Sequence, residues 1–178
     1  PLGSYGLSKL AGELAVGMAC PRHVILRTSW VCSPHGTNFV KTMVRLAGER
    51  PELSVVSDQF GAPTFASHFA TGIGQMLPLL LAESDASDRF GIFHMTNAGE
   101  TSWHGLAEAI MAGGAQRGVA SVPVRAITTA DYPTPAKRPA NSRLSNAKLR
   151  QVYGVELPHW REGLEMCLDN LIGPVIRP

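Results

Sequence analysis

The chain has 178 residues, 44% of them apolar, and a formal charge of only +2, the make-up of one globular unit with enough chain to bury a sizeable core. A balance this even, with basic residues scattered and no block of like charges, argues against nucleic acid or a membrane surface as partner. The longest apolar run, MLPLLLA at Met76–Ala82, contains Pro78 and falls far short of the about 20 residues that a membrane helix needs.

Taken in chain order, YGLSKLAGELAVG (Tyr5–Gly17) carries Leu7, Leu10, Ala11, Leu14 and Ala15 at helical spacing. HVILRTSWV (His23–Val31), bounded by Pro21 and SPHG, predicts one buried strand. NFVKTMVRLAGER places Phe39, Val40, Met43, Leu46 and Ala47 on one helical face, with Thr37 or Asn38 as N-cap. LSVVSD is a short strand, GAPTF breaks the chain, and a helix follows from about Ala66 to Leu81. After the polar loop AESDASDR come a strand, GIFHMTN, and a helix, TSWHGLAEAIMAGGAQRG, with Ser102 as its cap. VPVRAITTADYP runs from strand into loop, and PTPAKRPAN is Pro-rich and irregular. Two helices, SNAKLRQVYG and WREGLEMCLDNLIG, close the chain. Strands alternating with helices indicate an α/β unit with parallel strands, and the loop-rich second half suits a substrate-binding lobe.

The three cysteines, Cys20, Cys32 and Cys167, are odd in number and contain no C-x-x-C. They read as buried or half-buried thiols of a cytoplasmic protein, not as a disulfide framework or a zinc site. The six histidines, among them His35, His68, His94 and His104, show no H-x-x-x-H spacing and read as surface or satisfied core groups. The first fifteen residues lack the basic-then-apolar pattern of a signal peptide.

Tyr5 and Lys9 stand four apart at the start of the first helix, so the phenol and the ammonium share a face. A free phenol, with a pKa of about 10, exchanges protons poorly near neutrality. A nearby cation favours the phenolate and tunes the group toward proton transfer at a carbonyl oxygen. Y-x-x-x-K also arises by chance in helices, so the pair alone is a weak signal.

Its neighbours strengthen it. YGLSKLAGE, ILRTSWV, HGTNFVKTM, VVSDQFGAPT and RPANSRLSNAKL follow one another in order. The series, from Tyr5 to Leu171, resembles the dTDP-4-dehydrorhamnose reductases, a branch of the extended short-chain dehydrogenase/reductases. The resemblance implies the C-terminal part of a Rossmann-like α/β fold over residues 5–178, with parallel strands, flanking helices and a smaller substrate-binding lobe. It implies reduction of the 4-keto group of dTDP-4-dehydro-L-rhamnose by NADPH or NADH, in the supply of nucleotide sugar for cell-surface polysaccharide. Tyr5 would be the proton donor, and Lys9 would hold the nicotinamide ribose and tune Tyr5, with Ser29 also at the cofactor. Trp30 would line the sugar-nucleotide pocket, burying area with a flat ring at little entropic cost. Asn38, Gln59, Pro63 and Thr64 would shape the pocket wall and its loop. Arg138 and Asn141 would meet the diphosphate or thymidine end, where a guanidinium fork suits phosphate oxygens.

The same resemblance exposes what the sequence lacks. A nicotinamide enzyme of this kind needs a Gly-rich turn between a strand and a helix to receive the pyrophosphate. GGAQRG, at Gly113–Gly118, ends a helix and does not qualify. The Ser or Thr that completes the catalytic group is also absent upstream of Tyr5. The expectation is a chain lacking the cofactor-binding half and inactive alone, with PLGS at residues 1–4 either a tag remnant or native linker. Some relatives pair through a carboxylate magnesium site, but FASHFATGIGQ has no acid after Thr64, so a homodimer bridged in that way is not expected. Two other readings stay open: a regulatory subunit of the methionine adenosyltransferase type, and a sugar-nucleotide epimerase or dehydratase. The choice between NADH and NADPH is not fixed by these residues.

Overall fold

The computed structural model describes residues 3–82, 88–132, 134 and 138–176. Parts of the expected loop AESDASDR, of the irregular PTPAKRPAN and of PLGS lie outside the described residues.

Helix α1 spans Ser4–Ala19, and none of its residues is buried. It lies beside β1 (Val24–Arg27), with the Glu13 carboxylate accepting from Arg27 Nε at 2.8 Å and Nη2 at 2.5 Å. Between them runs an open apolar groove of about 300 Å³ lined by Leu10, Leu14, Met18, Ile25 and Ile92. The expected strand over His23–Val31 is broken. β1 stops at Arg27 and β2 takes up only Val31–Cys32, because Trp30 between them has φ +49, which no extended strand accommodates.

The following elements hold most of the apolar surface. α2 (Phe39–Ala47) buries Val40, Met43 and Ala47, the side that its apolar spacing predicts. β3 (Leu53–Val56) alternates buried Leu53 and Val55 with more exposed residues. Two short strands, β4 (Phe60–Gly61) and β5 (Thr64–Phe65), occupy the segment expected only to break the chain. α3 (Ala66–Leu81) then matches its expected bounds. Next come β6 (Gly91–His94), β7 (Asn97–Ala98) and β8 (Thr101–Ser102). α4 (Trp103–Ala115) begins where the Ser102 hydroxyl accepts from the Gly105 amide at 3.0 Å. β9 (Val124–Ile127) leads into a single 3-10 turn, Thr129–Asp131. α5 (Ala147–Tyr153) ends on Gly154 at φ +66, the left-handed stop that glycine provides at no steric cost. β10 (Leu157–His159) and α6 (Trp160–Leu171) complete the described elements.

The pairs β1–β6, β2–β5, β3–β9 and β7–β10 are parallel, and β4–β8 is antiparallel. Parallel pairing requires crossovers, and the helices between strands supply them. One core gathers Val40, Leu53, Phe65, Ile110, Leu164 and Leu168 from α2, β3, β5, α4 and α6. A second holds Met76, Phe93, Met95, Leu149 and Leu157 from α3, β6, α5 and β10 with the segment after β6. Each fully buried side chain of this size contributes about 1.5–3 kcal/mol relative to exposure. Cys32 and Cys167 belong to the first core, where burial pushes their thiols up to about 12 and about 11 respectively, whereas Cys20 is exposed. The first core packs against Trp30 of the loop that follows β1.

Candidate active site

The first turn of α1 presents Tyr5 and Lys9 together. The Lys9 ammonium sits 5.6 Å from the centroid of the Tyr5 ring, so the four-residue spacing does bring the cation to the phenol. Tyr5 is 76% exposed, and the Ser8 hydroxyl donates to its carbonyl at 2.8 Å. The pair thus stands on an open helical face, anchored to the sheet through the bond between Glu13 and Arg27 further along α1.

A second group of residues lies where the chain leaves β1. Ligands in open α/β sheets bind outside the carboxyl ends of the parallel strands, and Thr28, Ser29 and Trp30 occupy that end of β1. The Thr28 hydroxyl oxygen is buried and has no hydrogen-bond partner among the described residues. Ser29 Oγ donates to the Ala62 carbonyl at 3.2 Å, and the Thr64 amide donates to the Trp30 carbonyl at 3.1 Å. Pro63 and Thr64 are themselves buried. The loop after β1 is therefore laced to the turn between β4 and β5. The Trp30 indole stacks on Trp103, with centroids 3.7 Å apart and planes 12° from parallel, and Phe39 tilts against the same Trp103 ring at 4.6 Å.

Beyond this aromatic group opens a cavity of about 470 Å³, lined among others by Phe39, Met43, Gln59, Trp103, Tyr132 and Arg138. Gln59 is buried and donates through Nε2 to Thr129 Oγ1 at 3.1 Å. The neighbouring Asp58 carboxylate accepts from the Thr129 amide at 2.9 Å and from its hydroxyl at 2.7 Å. Those bonds, the amide first and then the hydroxyl, hold the Asp58 carboxyl below its ordinary range. They fix the 3-10 turn that leads to Tyr132 at the cavity wall. Aromatic rings combined with an arginine make a surface suited to a ring-bearing, negatively charged ligand.

The structure thus brings Gln59 and Arg138 to one cavity, and Ser29, Trp30, Pro63 and Thr64 to the adjoining pair of loops. Tyr5 and Lys9 form a third patch on α1. Two candidates are engaged elsewhere. Asn38 caps α2, its Oδ1 accepting from the Lys41 amide at 3.3 Å and its Nδ2 donating to the Ser33 carbonyl at 2.6 Å. Asn141 Oδ1 accepts from both the amide and Nε of Arg143 at 3.0 Å, and Arg143 in turn pairs with Glu100. Trp103, Phe39 and Tyr132 also line the cavity and are not among the site residues that the sequence predicts. An aromatic directly after a capping serine was the available signal for Trp103. Of the histidines, His68 is buried, with Nδ1 2.7 Å from Asn97 Nδ2, and no cluster of three His, Cys, Asp or Glu side chains converges among the described residues.

Comparison with known proteins accords with this architecture. Residues 1–172 match the family described as the RmlD substrate binding domain. A dTDP-4-dehydrorhamnose reductase of Burkholderia thailandensis is 46% identical over 177 residues, covering 97% of this chain and 59% of the relative. Among solved structures, the reductase ortholog of Clostridium acetobutylicum superposes with a TM-score of 0.86 at 35% identity, over 96% of this chain and 56% of that one. The dTDP-4-dehydrorhamnose reductase of Bacillus anthracis, solved in complex with NADP, gives 0.84 at 35% identity, over 94% and 56%. The chain therefore spans less than two thirds of the length of these relatives. With nearly its whole length matched, the chain belongs to the RmlD substrate binding domain family.

Proposed function

We propose that the chain supplies the substrate lobe and the proton-transfer face of an NAD(P)H-dependent reductase that converts dTDP-4-dehydro-L-rhamnose to dTDP-L-rhamnose. The observation that carries this reading is the Lys9 ammonium at 5.6 Å from the Tyr5 ring, on a chain whose cavity combines aromatic rings with Arg138. The relatives named above support the substrate class and the nicotinamide cofactor.

The residues present fit the nicotinamide end of such a cofactor. Tyr5 and Lys9 offer exposed donors on one helix face, and Thr28, at the carboxyl end of β1, offers a hydroxyl with no partner among the described residues. When bound, the reduced nicotinamide would supply a hydride to C4 of the sugar. Tyr5 then delivers its phenolic proton to the 4-keto oxygen as charge builds there. The Lys9 cation stabilises the phenolate left behind and holds ribose hydroxyls. Trp30 and the aromatic cavity wall orient the nucleotide sugar and exclude water, so that the carbonyl meets its proton donor in one geometry. The Gly-rich turn for the pyrophosphate and the Ser or Thr partner of Tyr5 would belong to the part of the relatives' length that this chain does not span. In this reading the enzyme works in the cytoplasm, supplying activated rhamnose for cell-surface polysaccharide. Among the described residues no helix is long and apolar enough to cross a membrane.

The test is NADPH oxidation with dTDP-4-dehydro-L-rhamnose, using the chain joined to a cofactor-binding half of a relative. Tyr5→Phe should lower kcat by about 10²-fold or more with cofactor affinity little changed. Turnover close to wild type would remove Tyr5 from the role. The 178 residues alone should bind NADPH weakly in a fluorescence titration, and micromolar binding would contradict the assignment of the pyrophosphate site to the relatives' length that this chain does not span.

A further inference from the structure

Among the described residues, Trp30 is the one non-glycine with a positive φ, +49. A bulky side chain rarely adopts that conformation, and such strain persists only where the surroundings over-determine it. Three contacts do so here. The Trp30 indole lies flat on Trp103, 3.7 Å between centroids and 12° from parallel. The Trp30 carbonyl accepts from the Thr64 amide at 3.1 Å, which starts the β2–β5 pairing. Gly61 leaves the space that the indole fills, since a Cβ there would stand 2.5 Å from Trp30 Cε2 and 2.8 Å from Nε1.

Trp103 is itself well held. It is the first residue of α4, directly after the capping Ser102, and Phe39 packs on it at 4.6 Å and 50°. Trp103 and Phe39, but not Trp30, line the 470 Å³ cavity. The ring pair therefore runs unbroken from the loop after β1 to the cavity wall. Resting on the reductase reading, we propose that Trp103 is a positioning residue. With Gly61 it holds Trp30 in its left-handed conformation, and so sets the wall against which the dTDP-sugar is bound. If the flat face of Trp103 is removed, Trp30 can relax to negative φ. Its indole then leaves its place, and the loop between β1 and β2 loses the shape that joins the cavity to the end of β1. An aliphatic residue at 103 would keep the burial but lose the flat face, whereas phenylalanine would keep a smaller one.

The test uses the 178-residue chain, with dTDP as probe and intrinsic fluorescence as readout. Far-ultraviolet circular dichroism of the indole exciton couplet reports the stack directly. The wild type should give both the couplet and saturable dTDP quenching. Trp103→Leu should lose the couplet and bind dTDP roughly tenfold more weakly. Trp103→Phe, which has no second indole to couple, should recover most of the affinity. Gly61→Ala would set a Cβ 2.5 Å from Trp30 Cε2 and should disturb the couplet and weaken dTDP to a similar degree. A purely packing role for Trp103 would lower Tm while leaving the dTDP Kd of the folded variants unchanged, and that result overturns the proposal. Should Trp103→Leu fail to fold, Gly61→Ala and Trp103→Phe decide it, the former with wild-type affinity sinking the clamp. Wild-type binding with unaffected variants removes the clamp alone. No saturable wild-type binding of dTDP removes both the clamp and the nucleotide-sugar reading of the cavity.

Discussion

Asn97 Oδ1 accepts the Phe65 backbone amide at 2.8 Å, so a side chain on β7 holds the end of β5, the strand that follows the laced loops of the candidate site. The same side chain donates through Nδ2 to the Pro158 carbonyl at 2.7 Å, and this nitrogen also lies 2.7 Å from His68 Nδ1. One amide thereby ties β5, α3 and β10 together while itself being only 1% exposed. Asn97→Leu would fill the volume but leave buried donors and acceptors unpaired, which costs about 2–3 kcal/mol. Urea unfolding should show the midpoint falling with the slope unchanged, and an unchanged midpoint would mean that water or a rearranged His68 satisfies these groups.

Arg117 is another polar side chain committed to the interior. Its Nη2 donates to Asp169 at 2.6 Å and to Glu165 at 2.8 Å, and Nη1 donates to the Gly113 carbonyl at 2.9 Å. Burial works against its charge, and the two carboxylates outweigh that effect, so its pKa rises. The acids are about half exposed, 49% and 48%, while the guanidinium is 1% exposed. Removing the cation therefore leaves the carboxylates partly solvated, and Arg117→Ala should cost about 2–3 kcal/mol, below the loss expected for a fully buried pair. Thermal unfolding of Arg117→Ala at low and high salt checks this. A cost that vanishes in salt would show the bridge to be a surface interaction.

These networks also show which parts of the fold were legible in the sequence. Asn38 and Ser102 could be read as caps because capping needs only a local side chain and the next turn of backbone. The α2 face, with Val40, Met43 and Ala47 buried, followed from periodicity alone. The break at Trp30 was not legible, since its left-handed backbone is held by Trp103, Thr64 and Gly61 from distant parts of the chain. β10 was hidden for a different reason. Leu157-Pro158-His159 carries a proline, which argues against a strand unless the position needs no donor. Tyr5, Lys9 and Trp30 came from motifs, whereas Phe39 and Tyr132 had no local pattern that could announce a cavity wall.

The cavity should respond to acid through Asp58. Its carboxyl is held low by the Thr129 amide and hydroxyl, and Asp131 is held low by the Thr128 amide and hydroxyl across the same turn. A carboxyl depressed in the folded state contributes stability above its unfolded pKa, and the contribution is lost as pH falls through the folded value. The 3-10 turn should therefore stay intact through the ordinary aspartate range, about pH 4, and loosen only below it. Amide exchange at Thr129 together with carboxyl titration by NMR would follow this. An Asp58 titrating at or above the ordinary value would show that the carboxylate does not hold the turn.

α1 depends on one ion pair to a degree that the other helices do not, because none of its residues is buried. Glu13 grips Arg27 through both carboxylate oxygens, at 2.8 and 2.5 Å, and the Arg27 hydrogen bonds are the first cause of its lowered pKa. The helix that carries Tyr5 and Lys9 is thus held to β1 by a contact that Gln can only half reproduce. Glu13→Gln should release α1 locally, by about 0.5–1 kcal/mol, since Arg27 is 42% exposed and solvent screens the pair. Hydrogen exchange of the α1 amides should quicken by roughly two- to fivefold, and those of α4 and α6 should not change. Lowering the pH through the depressed Glu13 value should reproduce the effect in the wild type, because the protonated carboxyl gives up the same charge. If α1 exchanges equally fast with and without Glu13, its placement comes from the apolar groove beside Leu10 and Leu14. In that case the Tyr5–Lys9 face would be oriented by packing, and the Arg27 bridge would be incidental to it.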